Sequence, residues 1–151
     1  MTMIEIKNVD SYDWVELMAC CQNEGFGMVS RLLADFEQGA NRFDEPGEAL
    51  FVHLRGNRVI AVAGLNRERD VSLGRAGRVR RLYVSPKDRG RGLGRKLISQ
   101  IVLAAQPSFD LLTVNVGQTD ARGFYEQMGF TQMAGKGVTH VMRLIPQNNP
   151  S

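Results

Sequence analysis

Between Val79 and Lys96 the chain reads V-R-R-L-Y-V-S-P-K-D-R-G-R-G-L-G-R-K. A β-branched and aromatic run gives way to a glycine-rich turn, and then Leu93, Leu97, Ile98, Ile101, Val102 and Ala105 fall on one helical face. Strand, glycine turn and helix start, in that order, make an anion site. Gly90, Gly92 and Gly94 let backbone N–H groups close on an oxyanion, and the helix N-terminus adds its orphan donors and dipole. Arg89, Arg91, Arg95 and Lys96 place full charges around those amides. The chemistry implied is the holding of a phosphate-bearing ligand.

Three kinds of glycine-rich turn compete for this segment. A Walker loop ends in Gly-Lys-Ser/Thr, which the chain lacks. A dinucleotide fingerprint is spaced G-x-G-x-x-G, whereas these glycines are spaced G-x-G-x-G. The acid about twenty residues on, Asp110, precedes the apolar run Leu111–Val116 and so lies at the wrong end of that strand. The third pattern, R-x-x-G-x-G, is met by Arg89, Gly92 and Gly94, with Leu82, Val84 and Pro86 as L-x-V-x-P before it. A second motif follows, Ala121-Arg-Gly-Phe124-Tyr125-Glu-Gln-Met-Gly129-Phe130. Together, in this order, the two resemble motifs of the GNAT superfamily, the GCN5-related N-acetyltransferases, over roughly residues 3–145.

The resemblance implies an α/β (α+β) fold, a mixed, strongly twisted sheet of about seven strands with helices on both faces. It implies an acetyl-CoA-dependent N-acetyltransferase acting on a primary amine by direct attack. The pyrophosphate of acetyl-CoA is expected on the amides of Arg89–Arg95, and the pantetheine arm along Leu82, Tyr83 and Val84. Arg95 or Lys96 is expected to reach the adenosine phosphates, unless both are simply a solvated helix face. Tyr125 is the expected catalytic residue, because a tyrosine there points toward the coenzyme sulfur in the family. A phenol with a pKa of about 10 is protonated at neutral pH and can donate to a departing thiolate. The alternative is a core tyrosine packing its helix on the sheet.

Two departures stand out. Family members often carry Asn three residues before the motif alanine, where this chain has Gln118; either Gln118 or Asn115 is left to contact pantetheine. Many members also place Glu near the start of the central strand, where this chain has Arg78, then Arg80. A base must come from elsewhere, with Asp44, Glu45 and Glu48 as candidates, or the amine arrives neutral. An alternative function is a non-catalytic module that binds acetyl-CoA and regulates a partner. Arg78, Arg80 and Arg81 favour an acceptor carrying a carboxylate or phosphate besides its amine. A polyamine, an aminoglycoside or a protein terminus stays open.

Composition narrows the setting. The 151 residues suit one domain, residues 1–145, with a polar tail at 146–151 expected to be disordered. No apolar run is long enough for a membrane span or a signal peptide. Cys20 and Cys21 are adjacent and unbridged in expectation, which suggests a reducing, cytoplasmic setting. His53 and His140 are too isolated for a metal site, so no metal is expected, and acetyl-CoA is the cosubstrate that the resemblance implies. Eleven of the nineteen basic residues lie between Arg67 and Lys96, against three acids, but few aromatics interleave them. Nucleic acid is therefore not an expected partner, and a homodimer is left open.

The elements that must position these residues follow from turn chemistry and periodicity. Ile4–Val9 alternates as a strand, and Ser11 is the expected N-cap of a helix carrying Trp14, Leu17 and Cys21. Met28, Leu32, Leu33 and Phe36 mark a second helix stopped by Gly39. Gly56-Asn57 predicts a hairpin of Ala49–Arg55 with Arg58–Leu65. Arg78–Val84 is the strand before the glycine turn, the helix after it ends near Gln106, and Leu111–Val116 is the next strand. Thr119 is the expected cap of a helix through Met128. Phe130–Met133 and Val138–Leu144 are expected to close a last hairpin.

Overall fold

A computed structural model describes residues 2–117, 121–135 and 137–145. The expected cap Thr119, the contact candidate Gln118 and the tail 146–151 fall outside them. Seven strands form one sheet: β1 (Thr2–Glu5), β2 (Ala49–Arg55), β3 (Arg58–Arg67), β4 (Ala76–Val84), β5 (Leu111–Val114), β6 (Thr131–Gln132) and β7 (His140–Arg143). Their spatial order is β1-β2-β3-β4-β5-β7-β6. All neighbours are antiparallel except β4 and β5, which run parallel. Four helices cover the two faces: α1 (Val15–Asn23), α2 (Met28–Gln38), α3 (Leu93–Ala105) and α4 (Ala121–Gln127). None of the described helices is long and apolar enough to cross a membrane.

Alternation along the strands sends residues to two cores. Leu50, Val52, Leu54 and Val62 pack with Leu17, Val29 and Leu32 beneath α1 and α2. Phe51, Ala61, Ala63 and Val79 pack with Leu97, Ile98 and Ile101 beneath α3. The Gly56-Asn57 hairpin forms as expected, with Arg55 opposite Arg58 and Gly56 at a φ of 62°. Gly39 ends α2 in the left-handed conformation, φ 78°, where its lack of Cβ avoids strain.

Several boundaries differ from expectation. The first strand ends at Glu5, and Ser11 does not cap α1: its hydroxyl and amide turn back to Asn8. Asp13 takes the capping part instead, its Oδ1 accepting from the Val15 amide at 3.0 Å. Trp14 explains the later start. Its indole N–H donates to the Val9 carbonyl, which pins the approach to the helix while its ring is buried. The β5 strand stops at Val114, two residues early. At Val116 the backbone amide donates instead to the Thr139 hydroxyl. The last hairpin is short because Phe130 leaves the ladder for the core.

Two features of β4 shape the site. It pairs with β5 only from Ala76 to Arg78, so its edge from Val79 to Val84 has no strand partner on that side. It also carries a bulge: Gly64 faces Arg80 and Val62 faces Tyr83, leaving Arg81 and Leu82 opposite Ala63. Arg81 adopts a φ of 62°, a strained choice for a branched-off side chain without glycine's freedom. The bulge changes which way side chains point. Arg81 meets Asp35 of α2, whereas strict alternation would have sent it with Val79 toward α3.

Candidate active site

The splayed edge of β4 opens a cleft of about 810 Å³ between the glycine turn, Leu82–Val84, the loop before α2 and Phe124 of α4. The chain enters it through a short 3₁₀ turn, Pro86–Asp88, after which Gly90 and Gly92 take φ of 81° and 79°. Among the described residues, the backbone N–H groups from Gly90 to Arg95 have no hydrogen-bond partner, and the first amide to re-enter the ladder is that of Lys96, bonded to Gly92. Such a row of free donors at a helix start has the chemistry to receive an oxyanion. Gly94 sits closest to the opposite wall: a Cβ there would lie 3.4 Å from Phe124.

The turn is held from below. Asp88 is almost fully buried and accepts from the Arg55 guanidinium of β2 at 2.7 Å. That hydrogen bond holds its carboxyl below the ordinary carboxylate range, and burial is outweighed. Asp88 thus anchors a basic loop to the sheet.

Arg89 behaves differently from expectation. Its guanidinium is paired in two places with Glu24, at 2.7 and 3.0 Å, donates to the Val84 carbonyl and lies over the Tyr83 ring. Tyr83 in turn donates its hydroxyl to Glu24. Glu24 is held ionised by Arg89 first and Tyr83 second. The amides, with Arg95 and Arg91 nearby, are what the turn leaves available. Among the described residues, the hydrogen-bond partners of Arg95 are the neutral Gln127 and Met128, and Arg91 stands 3.7 Å from Asp88.

A second cavity, of about 390 Å³, continues from the first and shares Met28, Leu82 and Ala121 with it. Its walls are Arg31 of α2, Arg78, Arg80 and Arg81 of β4, Val114–Val116 at the end of β5, and Tyr125 of α4. Tyr125 is 4% exposed and packs edge-on between Phe124 and Phe130, with ring centroids 5.1 and 5.4 Å away. Burial pushes its phenol pKa up, so the group stays protonated. It is both a core ring and a wall of the cavity.

The structure therefore gathers Leu82, Tyr83, Val84, Arg89, Gly90, Gly92, Leu93, Gly94 and Arg95 at one end of the cleft, and Tyr125 and Asn115 at the other. Arg91 and Lys96 are exposed and are not part of either wall, and Lys96 instead lies near His53. Gln118 is outside the described residues. The three loop carboxylates do not border the cavity. Glu48 accepts from the amides of Arg67 and Glu45, a turn-building role, and Asp44 lies at a separate groove beside Trp14. His140 is buried against Glu126 and Thr139, away from the cleft walls. Sequence reading missed Glu24 and Arg31. Neither stands in a motif, and only the packing of α1 and α2 on the sheet brings them to β4.

The profile of the "Acetyltransferase (GNAT) domain" family matches residues 46–132. Among solved structures, a protein of Exiguobacterium sp. 255-15, an acetyltransferase by assignment, is 34% identical with a TM-score of 0.84. The match covers 94% of this chain and 92% of that one. An acetyltransferase of Streptococcus agalactiae shares the fold at 23% identity, TM-score 0.73, over 95% and 98% of the two chains. A Bacillus anthracis protein assigned as a streptothricin acetyltransferase, solved with acetyl coenzyme A, is 17% identical with a TM-score of 0.55, over 68% and 65%. No protein of curated function matches the chain.

Proposed function

The chain belongs to the GNAT acetyltransferases, and from that premise we propose that it moves the acetyl group of acetyl-CoA directly to a primary amine. The observation that carries this reading is the continuity of the cleft: a row of free amides at one end opens into a cavity walled by Tyr125 at the other. The residues fit the coenzyme. Amides from Gly90 to Arg95 suit a pyrophosphate, and the unpaired edge Val79–Val84 suits the two amides of a pantetheine arm, which need partners once out of water. Acetyl-CoA supplies an activated acyl carbon.

In the reaction, the amine nitrogen forms a bond to the acyl carbon, the carbon–sulfur bond breaks, the nitrogen loses a proton and the sulfur gains one. Tyr125 is the proposed donor of the second proton. Its buried, protonated hydroxyl fits that role.

Tyr125→Phe tests this by removing one hydroxyl and keeping the ring. Thiol release should fall by roughly 10²-fold in kcat, with little change in the KM for acetyl-CoA. The melting temperature should hold, because the ring contacts with Phe124 and Phe130 remain. Full activity in this variant would remove Tyr125 from the mechanism.

A further inference from the structure

The second cavity is cationic in an unusual way for a pocket meant to receive an amine. Arg78 and Arg80 point to the α2 face by ordinary alternation, and the bulge adds Arg81 to the same side. Arg31 reaches in from α2, folded over Gly27, where a Cβ would lie only 2.7 Å from its guanidinium. Among the described residues, no acidic side chain forms part of the wall.

The four guanidiniums are not equally occupied. Arg78 stands 3.4 Å from Glu68, whose carboxylate also accepts from Thr113, and Arg81 stands 3.5 Å from Asp35. Among the described residues, nothing accepts a hydrogen bond from Arg80 or Arg31. Arg80 is half-buried, and burial first, then the neighbouring Arg78, lowers its pKa. A partly desolvated cation held among other cations is costly to the fold unless an anion completes it. Guanidinium also offers the forked donor pair that matches a carboxylate or a phosphate.

Building on the acetyl-transfer reading, we propose that the acceptor is a small amine that also carries a carboxylate or phosphate, and that Arg80, with Arg31 and Arg81, binds that anion. The amine is thereby placed near Tyr125 in the same cavity. The arrangement also answers the lack of a carboxylate base among the described wall residues. Surrounding cations disfavour an ammonium and so favour the neutral, nucleophilic amine. Polycationic acceptors meet the same field as repulsion.

The test uses matched acceptor pairs that differ only in the anion, with acetyl-CoA and thiol release as readout. Phenylalanine is set against phenylalaninamide, O-phosphoethanolamine against ethanolamine, and spermidine serves as a polycation. At least one anionic member should exceed its neutral partner in kcat/KM by more than tenfold, and which pair does so identifies the anion. Spermidine should be the poorest acceptor. Arg80→Gln should erase the preference through the acceptor KM, and Arg80→Lys should restore part of it. Equal rates within both pairs, a preference for spermidine, or an unchanged preference in Arg80→Gln would overturn the proposal. Melting temperatures separate this failure from failure of the transfer reading. With coenzyme A present, N-acetylphenylalanine or N-acetyl-O-phosphoethanolamine should stabilise the protein more than its neutral counterpart even if no amine turns over. Absence of that difference for both pairs counts against the anion site.

Discussion

At one end of the cleft the turn from Gly90 to Arg95 presents backbone amides, and at the other Arg31, Arg78, Arg80 and Arg81 present side chains. The first end depends on where the chain goes, and so tolerates almost any side chain that leaves the path open. The second depends on what the chain carries, and a single substitution can remake it. The contrast explains how a shared fold can keep one cosubstrate while the acceptor varies. It also predicts different failure modes at the two ends.

The largest effect is expected where backbone and ligand come closest. Gly94→Asp puts a carboxylate beside the proposed pyrophosphate, a like-charge encounter costing about 3–4 kcal/mol, or roughly 10²- to 10³-fold in acetyl-CoA affinity. The fold should tolerate it. Phe124 and Val84 stand 3.4 and 3.9 Å from the new Cβ, and an acid in the first turn of α3 suits the helix dipole. Calorimetric titration with acetyl-CoA alongside a melting curve checks both halves. Unchanged affinity would move the phosphates elsewhere.

A smaller effect tests what holds the turn. Asp88→Ala removes the buried acceptor of Arg55, which is one-third exposed and can be rehydrated. Stability should fall by about 1.5–3 kcal/mol, read by urea unfolding, with acetyl-CoA affinity falling as the turn loosens. Lost affinity without lost stability would make Asp88 a ligand contact rather than an anchor.

The amide end was legible in the sequence because glycine spacing and helix periodicity are local signals. Its strand, turn and helix appear where Val79–Lys96 places them. The role of Arg89 was not legible, since its partner Glu24 lies at the far end of α1 and only the packing of α1 on the sheet joins them. The arginine end was half legible. Arg78, Arg80 and Arg81 stand in a row, but alternation alone would send Arg81 to the other face, and no pattern announced the bulge. Arg31, a residue on a helical surface by its spacing, gave no signal at all. The late start of α1 has the same origin, a tertiary contact at Trp14 overriding local pattern.

The smallest effect concerns the sheet beneath both ends. His53 is buried with neither ring nitrogen bonded among the described residues, and burial first, then Lys96, lowers its pKa from 6.5. Below about pH 6.5 the unfolded chain takes a proton that the folded one resists. Its contribution is thus fully present above 6.5 and declines as pH falls toward the lowered folded value, by up to about 1.4 kcal/mol per pH unit. Urea unfolding between pH 7.5 and 5 should show this slope in the wild type and a shallower one in His53→Leu. Equal slopes would show that His53 is not its source.

The most direct test of a single cleft with two separable ends is a cross-pattern of Michaelis constants. Wild type, Gly94→Asp and Arg80→Gln are compared for acetyl-CoA and for the best anionic acceptor. Gly94→Asp should raise the constant for acetyl-CoA by about 10²-fold or more and the acceptor's little. Arg80→Gln should raise the acceptor's at least tenfold and that of acetyl-CoA little. If Arg80→Gln instead weakens acetyl-CoA as much as the acceptor, the arginines serve the coenzyme and the two-ended account is wrong.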